Sequence, residues 1–344
     1  MITDRNIDPG ASIGIDKMAF PYIISGKHTD GSLPKIVWVS KGGADSLSSA
    51  QGSRNEPFLT INGVSGAMRQ TVDGRGDRII VGPGIWRENL DFGSGTGTTG
   101  SAGRMNKRDI GLYGSGGAHP GRTQIVSDGA TTGPTIRVRD GYARGFVLAD
   151  LEVGNVDSAD ADRVQPLIDI ETNDTATLTA DSSDEWTLLR NLRLDGGGSG
   201  SAGLVLTGAT MFRAYHLEIA NCTLGLVLRG SLSNSPENLM FWDTVFHDNI
   251  TADITTVTGN EGQWVFVAGG DTSLTNVRFV RNLYMDRGGT PVTNYVNVVG
   301  TMVNVVDFEF VAARDVADGT LMQLPVDWVA IGRSAAAAEF IIGA

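Results

Sequence analysis

The sequence predicts an all-β fold, a solenoid of short parallel strands (a parallel β-helix) with a short amino-terminal capping helix. Three observations predict it. Glycine fills 46 of 344 positions, against a usual share of about 7%, so the chain turns often. Beyond residue 108 no segment carries a convincing helical apolar period, and short strands are cut by Gly, Asn and Asp. A small unit, apolar–variable–apolar, recurs as Leu151-Glu152-Val153, Leu192-Arg193-Leu194, Leu217-Glu218-Ile219, Val277-Arg278-Phe279 and Phe308-Glu309-Phe310, with Thr244-Val245-Phe246 a poorer copy. Gly203-Leu204-Val205-Leu206 returns as Gly225-Leu226-Val227-Leu228, one coil later. Units of fixed phase, spaced by multiples of roughly 22–32 residues, stack strand on strand and bury their two apolar positions in one interior column. About ten coils over residues 78–344, at about 4.8 Å per strand, would make a stack of roughly 45–50 Å.

The elements follow in order. Residues 1–35 carry turn residues at Asp8-Pro9-Gly10, His28-Thr29-Asp30-Gly31 and Pro34 and read as an amino-terminal arm. The β-helix takes residues 36–344. Ile36-Val37-Trp38-Val39 is a strand, and a polar Gly/Ser loop runs from Lys41 to Asn55. From Pro57 to Val72 the apolar residues Phe58, Ile61, Val64, Met68 and Val72 fall three or four apart, which predicts an amphipathic helix over 57–72 with Pro57 in its first turn. Such a helix would cover the open strand edge at the start of the stack. Arg75-Gly76-Asp77 spells a tripeptide that integrins read, but it stands where the fold needs a tight turn, with glycine free to take a positive φ. The period then becomes two at Arg78-Ile79-Ile80-Val81, and Pro83-Gly84 leads into Ile85–Leu90; the coils fill residues 78–344.

Composition excludes several function classes. Acidic residues outnumber Lys plus Arg by 39 to 27, a net charge of −12, and no local basic stripe is visible, so nucleic acid is not an expected partner. No apolar run reaches the roughly 18 residues of a membrane helix. Cys222 is the only cysteine, which excludes an intrachain disulfide and any CxxC site. The start MITDRNIDPG has neither the basic region nor the apolar stretch of a secretory signal, so export through that route is not expected.

The run Val39-Ser40-Lys41-Gly42-Gly43-Ala44-Asp45, Pro57-Phe58-Leu59-Thr60-Ile61 and Gly76-Asp77-Arg78-Ile79-Ile80-Val81-Gly82-Pro83-Gly84-Ile85-Trp86 resembles the amino-terminal opening of right-handed parallel β-helix proteins of the pectin-lyase-like superfamily. The resemblance implies a fold but not an activity, because that superfamily holds lyases, hydrolases, epimerases and inert virion spikes. A second run, Ile2-Thr3-Asp4-Arg5-Asn6-Ile7-Asp8-Pro9-Gly10-Ala11-Ser12-Ile13-Gly14-Ile15-Asp16-Lys17-Met18, resembles the start of bacteriophage fibre, spike and head-decoration proteins. It implies attachment to a virion through Ile2, Ile7, Ile13, Ile15 and Met18, and a homotrimer.

Candidate chemistry is sparse. Asp169 and Glu171 alternate onto one strand face about 6.6–7 Å apart, a separation that suits the two carboxyls of an inverting glycosidase; Val205 and Val227 at matching positions are apolar, so the same patch would also suit a subunit contact. The loops Asp157-Ser158-Ala159-Asp160-Ala161-Asp162 and Asp181-Ser182-Ser183-Asp184-Glu185 are acidic in the manner of Ca²⁺ sites, with Asp157, Asp160 and Asp162 the candidate ligands, but neither has EF-hand spacing and solvated turns explain them. His28, His119, His216 and His247 show no metal spacing, and Asn221 and Asn249 read as turn or ladder asparagines. Glu152, Arg193, Glu218, Arg278 and Glu309, the middle positions of the repeated unit, would form one outward column of alternating charge. The Asp-Asp, Gly-His-Gly and Arg-x-Lys motifs of polygalacturonase-like hydrolases are absent, and no lysine follows Lys107 to serve a pectate-lyase-like site. The sequence therefore reads first as a bacteriophage structural protein, a capsid decoration or spike at the virion surface, whose partners are itself and other virion proteins. The alternatives are a tailspike-like polysaccharide depolymerase, hydrolase or lyase, and a non-catalytic protein binding host surface glycans. No cofactor is expected, with Ca²⁺ the one candidate.

Overall fold

The computed structural model describes residues 32–45, 52–62, 65–72, 74–92, 109–115, 122–128, 133–138, 145–154, 165–171, 187–197, 202–229, 237–249, 252–257, 272–285, 294–298, 302–311 and 314–315. β1 (Ile36–Val39) is the first rung. The first coil comprises β2 (Arg78–Val81), β3 (Gly84–Arg87) and β4 (Leu90–Phe92), and the second β5 (Gly111–Tyr113), β6 (Thr123–Val126) and β7 (Ile136–Val138). The third to fifth are β8 (Val147–Gly154) with β9 (Ile168–Glu171), β10 (Thr187–Asp195) with β11 (Ala202–Thr207), and β12 (Phe212–Ala220) with β13 (Leu224–Arg229). The sixth comprises β14 (Glu237–Trp242), β15 (Val245–His247) and β16 (Ala252–Val257), the seventh β17 (Thr272–Val280), β18 (Leu283–Met285) and β19 (Asn294–Val298), and β20 (Met302–Val311) and β21 (Arg314–Asp315) open an eighth. Every strand pair is parallel, in one 14-stranded sheet and one 7-stranded sheet. The chain is a parallel β-helix, and among the described residues no helix is long and apolar enough to cross a membrane.

Among the described residues most coils are longer than the sequence periodicity suggests. Arg78, Gly111, Val147, Leu188, Arg213, Met240, Arg278 and Glu309 occupy equivalent positions, so one coil runs from 188 to 213 while its predecessor runs from 147 to 188. The 22-residue match is a true rung pair, with Leu204, Val205 and Leu206 beside Leu226, Val227 and Leu228. Gly203 is needed there: a Cβ would come 2.6 Å from the Gly225 carbonyl oxygen and 2.6 Å from the Ile219 side chain.

A column of corners divides the 14-stranded sheet into two segments. Asp150, Asn191, His216, Asp243 and Arg281 stack from coil to coil, and all have φ between +50° and +61°. One left-handed residue shifts the in-out alternation. In β10, Leu189 points inward, Arg190 outward, Asn191 lies exposed at the corner, and Leu192 points inward again. Asparagine and aspartate tolerate this conformation best, and they occupy three of the five positions. The corners also correct the expected charge column. Glu152, Arg193 and Glu218 do stack, but the column continues to Val245 and Leu283. Arg278 and Glu309 pair with each other on the other segment, in line with Arg213 and Met240.

Over the described residues 57–62 and 65–72 the expected helix is absent, and a single 3₁₀ turn forms at Ala67–Gln70. Of the expected apolar face Phe58, Ile61 and Met68 join Val37, Val39, Ile79 and Val81 in the core, with Ala67 beside them, while Val72 is half-buried and Val64 lies outside the described residues. The backbone takes another path because side chains compete for its amides. Phe58 is extended and bridges Val39. The Asp45 carboxylate accepts the amides of Leu59 and Thr60 at 2.9 and 3.1 Å, and the Glu88 carboxylate accepts those of Ile61 and Asn62 at 3.0 and 2.7 Å. Arg75-Gly76-Asp77 is a turn, with Gly76 at φ +80°. The Asp77 carboxylate is buried, accepting the amides of Lys35 and Val72 and the Arg75 guanidinium.

Candidate functional site: the outer face of the long sheet

Beyond the corner, the second segment of the 14-stranded sheet sends alternate residues outward in two columns. One is Ile85, Gln124, Glu152, Arg193, Glu218 and Val245; beside it stand Arg87, Val126, Gly154, Asp195, Ala220 and His247. Their polar members form one connected network. Glu152 accepts Gln124 Nε2 at 2.7 Å through Oε1, and its Oε2 lies 2.6 Å from Arg122 Nη1. Arg193 lies between two carboxylates of its own column, 4.0 Å from Glu152 Oε2 and 3.7 Å from Glu218 Oε1, and donates to Asp195 Oδ2 at 2.8 Å. Asp195 Oδ1 accepts Asn221 Nδ2 and the Gly197 amide. His247 closes the network, with Nε2 3.0 Å from Glu218 Oε1 and Nδ1 2.7 Å from Asp248 Oδ2.

These environments push the carboxyls apart. Burial raises Glu152 above its ordinary range, against Arg122 and Arg193, which pull it down; its side chain is 3% exposed. The hydrogen bond from His247 holds Glu218 below the ordinary range, assisted by Arg193 and opposed by burial. Glu218 is 34% exposed. Burial pushes Asp195 upward, but the donors Asn221, the Gly197 amide and Arg193 outweigh it, and its pKa falls. One carboxyl shifted upward and two shifted downward, arranged around a guanidinium, are the parts of acid–base or nucleophilic catalysis. Glu152 and Glu218 stand two strands apart, about 9.6 Å between backbones, with the Arg193 guanidinium between their carboxylates.

The anticipated pair Asp169 and Glu171 falls elsewhere, on the outer face of the 7-stranded sheet. Asp169 stacks between Arg137 and Val205 and its oxygen lies 3.4 Å from Arg137 Nε. Both carboxylates point out of the strand, but both are buried, Asp169 completely. Asp157, Asp160 and Asp162, the second acidic loop, the attachment residues Ile2, Ile7, Ile13, Ile15 and Met18, and His28 and His119 lie outside the described residues. Among the described residues no group of His, Cys, Asp and Glu is arranged to hold a metal ion. Asn221 has φ +54°, and buried Asn249 bonds the Cys222 amide and the Ile219 carbonyl, so both act as turn and ladder asparagines. Periodicity placed three members of the network in one column; it did not reveal Arg122, Asp195 or His247.

No protein-family model matches the chain, and no curated protein matches it in sequence. Among solved structures it is similar to the pectin methylesterase PemA from Erwinia chrysanthemi, with a TM-score of 0.38 and 11% identity over 87% of this chain and 95% of that one. It is also similar to a pectin methylesterase in complex with a hexasaccharide, with a TM-score of 0.31 and 11% identity over 86% of this chain and 87% of that one.

Proposed function

We propose that the protein acts on polysaccharide, with the network centred on Arg193 as its site. The observation that carries this reading is the opposed tuning of Glu152 and Glu218 on either side of one guanidinium, on a face whose Arg193, Asp195 and Glu218 remain partly open to solvent. In this reading Glu218 activates water or attacks, Arg193 pairs with developing negative charge, and Glu152, buried beside Arg122 and Arg193, orients the guanidinium. Neutral and acidic polysaccharides, including host surface glycans and pectin, are the substrates to test, with new reducing ends reporting glycosidic cleavage and released methanol reporting ester cleavage. The expected result is turnover by the wild type that falls at least about 100-fold in Glu218→Gln and survives in Asp169→Asn. Loss in Asp169→Asn with retention in Glu218→Gln would move the site to the short sheet. No turnover, with retention on a glycan column, would leave a binding protein.

A second reading, a virion surface protein projecting a trimer of β-helices, rests on the phage-like run at residues 2–18. Capsid or scaffold reading frames beside its coding sequence and a solution mass of three chains support it; a stable monomer counts against it. The two readings are compatible, since a spike can carry a depolymerase site.

A further inference from the structure

We propose that His247 is a positioning residue, a doubly protonated imidazolium that clamps the sixth coil to the fifth, keeps the Glu218 carboxylate directed at Arg193, and releases it when the ring loses its proton. A neutral imidazole has one N–H and one lone pair. Each ring nitrogen of His247 instead meets a carboxylate oxygen, Glu218 Oε1 at 3.0 Å and Asp248 Oδ2 at 2.7 Å, and only the cation donates to both. The ring is 7% exposed, so water does not replace a lost partner.

The neighbours favour the charged form. Glu218 faces the ring from β12 and Asp248 follows it on its own strand. Behind them stand Arg193, which shares Glu218 Oε1 at 3.7 Å, and Asp195, tied to Asn221 beside Asp248. The residues in register on either side, Ala220 in β12 and Met285 in β18, do not titrate. The hydrogen bond to Glu218 is the largest influence raising the His247 pKa, followed, after the opposing effect of burial, by that to Asp248. Two cations meet at Glu218 Oε1, so loss of the His247 proton leaves Arg193 as its principal charge partner and removes the restraint from the neighbouring coil.

This deepens the reading of the face as an acid–base site, but its test is independent of turnover. Ring-nitrogen and Cε1–H NMR signals of the full chain are followed across pH and assigned with His247→Gln. Both His247 nitrogens are expected to carry protons at pH 7, with a midpoint above the ordinary 6.5. Glu218→Gln and Asp248→Asn should each lower that midpoint by about one pH unit. If Glu218→Gln fails to fold, Asp248→Asn still reports. A neutral His247 ring at pH 7 in the wild type, or a midpoint unmoved by either variant, overturns the proposal. A shifted midpoint in a protein without polysaccharide turnover keeps the clamp and removes the activity; turnover with a neutral His247 does the reverse.

Discussion

The outer faces of the two sheets are assembled by the same stacking and end in opposite environments. On the short sheet, Asp169, Val205 and Val227 stand in register and are sealed from solvent, with Ala202 and Leu224 packed beside the valines. On the second segment of the long sheet, Glu152, Arg193 and Glu218 stand in register and grade from buried to one-third exposed. An outward position in a β-helix is therefore not by itself a surface position: Asp169 and Val205 are buried where Arg193 and Glu218 are not. Chemistry that needs a substrate belongs on the face left open, which is why the Arg193 network outranks the Asp169–Glu171 pair as a site.

The sharpest way to break the comparison is to exchange residues between faces. Val205→Asp places an unpaired carboxylate in a closed layer and should cost at least about 3 kcal/mol, read as a drop in the urea midpoint or loss of the folded protein. Glu218→Val copies what the next coil already carries at Val245 and should cost about 1–2 kcal/mol, because Glu218 itself is partly solvated and the cost is mainly that of leaving the buried His247 without one partner. Equal effects would mean that the two faces do not differ in covering.

Much of this was legible in the sequence, for a physical reason. Apolar–variable–apolar units must present two side chains to a continuous interior, so Leu192-Arg193-Leu194 and Leu217-Glu218-Ile219 announce both the fold and their register. A helix over 57–72 is a misleading expectation because Phe58, Ile61 and Met68 are buried at helical spacing while the amides of 59–62 are taken by Asp45 and Glu88. Val277-Arg278-Phe279 and Phe308-Glu309-Phe310 were placed in the wrong column because both sheet segments use the same pattern and only the left-handed corner separates them. Reading the unit one residue further would have found more of the site: Asp195 and His247 each follow the second inward residue, at Leu194-Asp195 and Phe246-His247.

Next in size is Asp169→Asn. The substitution keeps the shape and removes the charge that faces Arg137 at 3.4 Å. Breaking a fully buried pair costs about 3–5 kcal/mol, and the partial exposure of Arg137 reduces this to about 2 kcal/mol. Equilibrium urea unfolding measures it. An unchanged midpoint would show that the Asp169 charge contributes no net stability.

The pH dependence separates the faces in another way, because the titrating groups with shifted pKa values cluster on the long sheet and the cap. His247, raised chiefly by Glu218, contributes stability that is complete below its ordinary 6.5 and is lost as pH rises through the native value. Glu218 and Asp195, both lowered, contribute stability present above their ordinary 4.5 and 3.8 and lost as pH falls through their native values. Glu152 and Glu88, raised first of all by burial, have the opposite sign for carboxyls and withdraw stability as pH rises past 4.5. The urea midpoint should therefore peak in mild acid, at about pH 5–6.5, and His247→Gln should flatten the alkaline limb and, by removing the bond that lowers Glu218, weaken the acid limb to the part Asp195 supplies. A wild-type midpoint that does not fall above pH 6.5 would remove His247 from the stability of the fold.

The smallest expected effect lies at the corner that orients the open face. Asn191 holds φ at +50° and donates Nδ2 to Asp150 Oδ1 at 2.8 Å. Asn191→Ala loses that bond and keeps a backbone conformation in which a Cβ costs about 1–2 kcal/mol. Asn191→Gly loses the same bond but relieves the conformation, so it should stay within about 0.5 kcal/mol of the wild type. The difference between the two variants isolates the left-handed corner from the hydrogen bond. If alanine is tolerated as well as glycine, the shift of alternation that sends Arg193 outward is enforced by the stacked coils on either side and not by the residue at the corner.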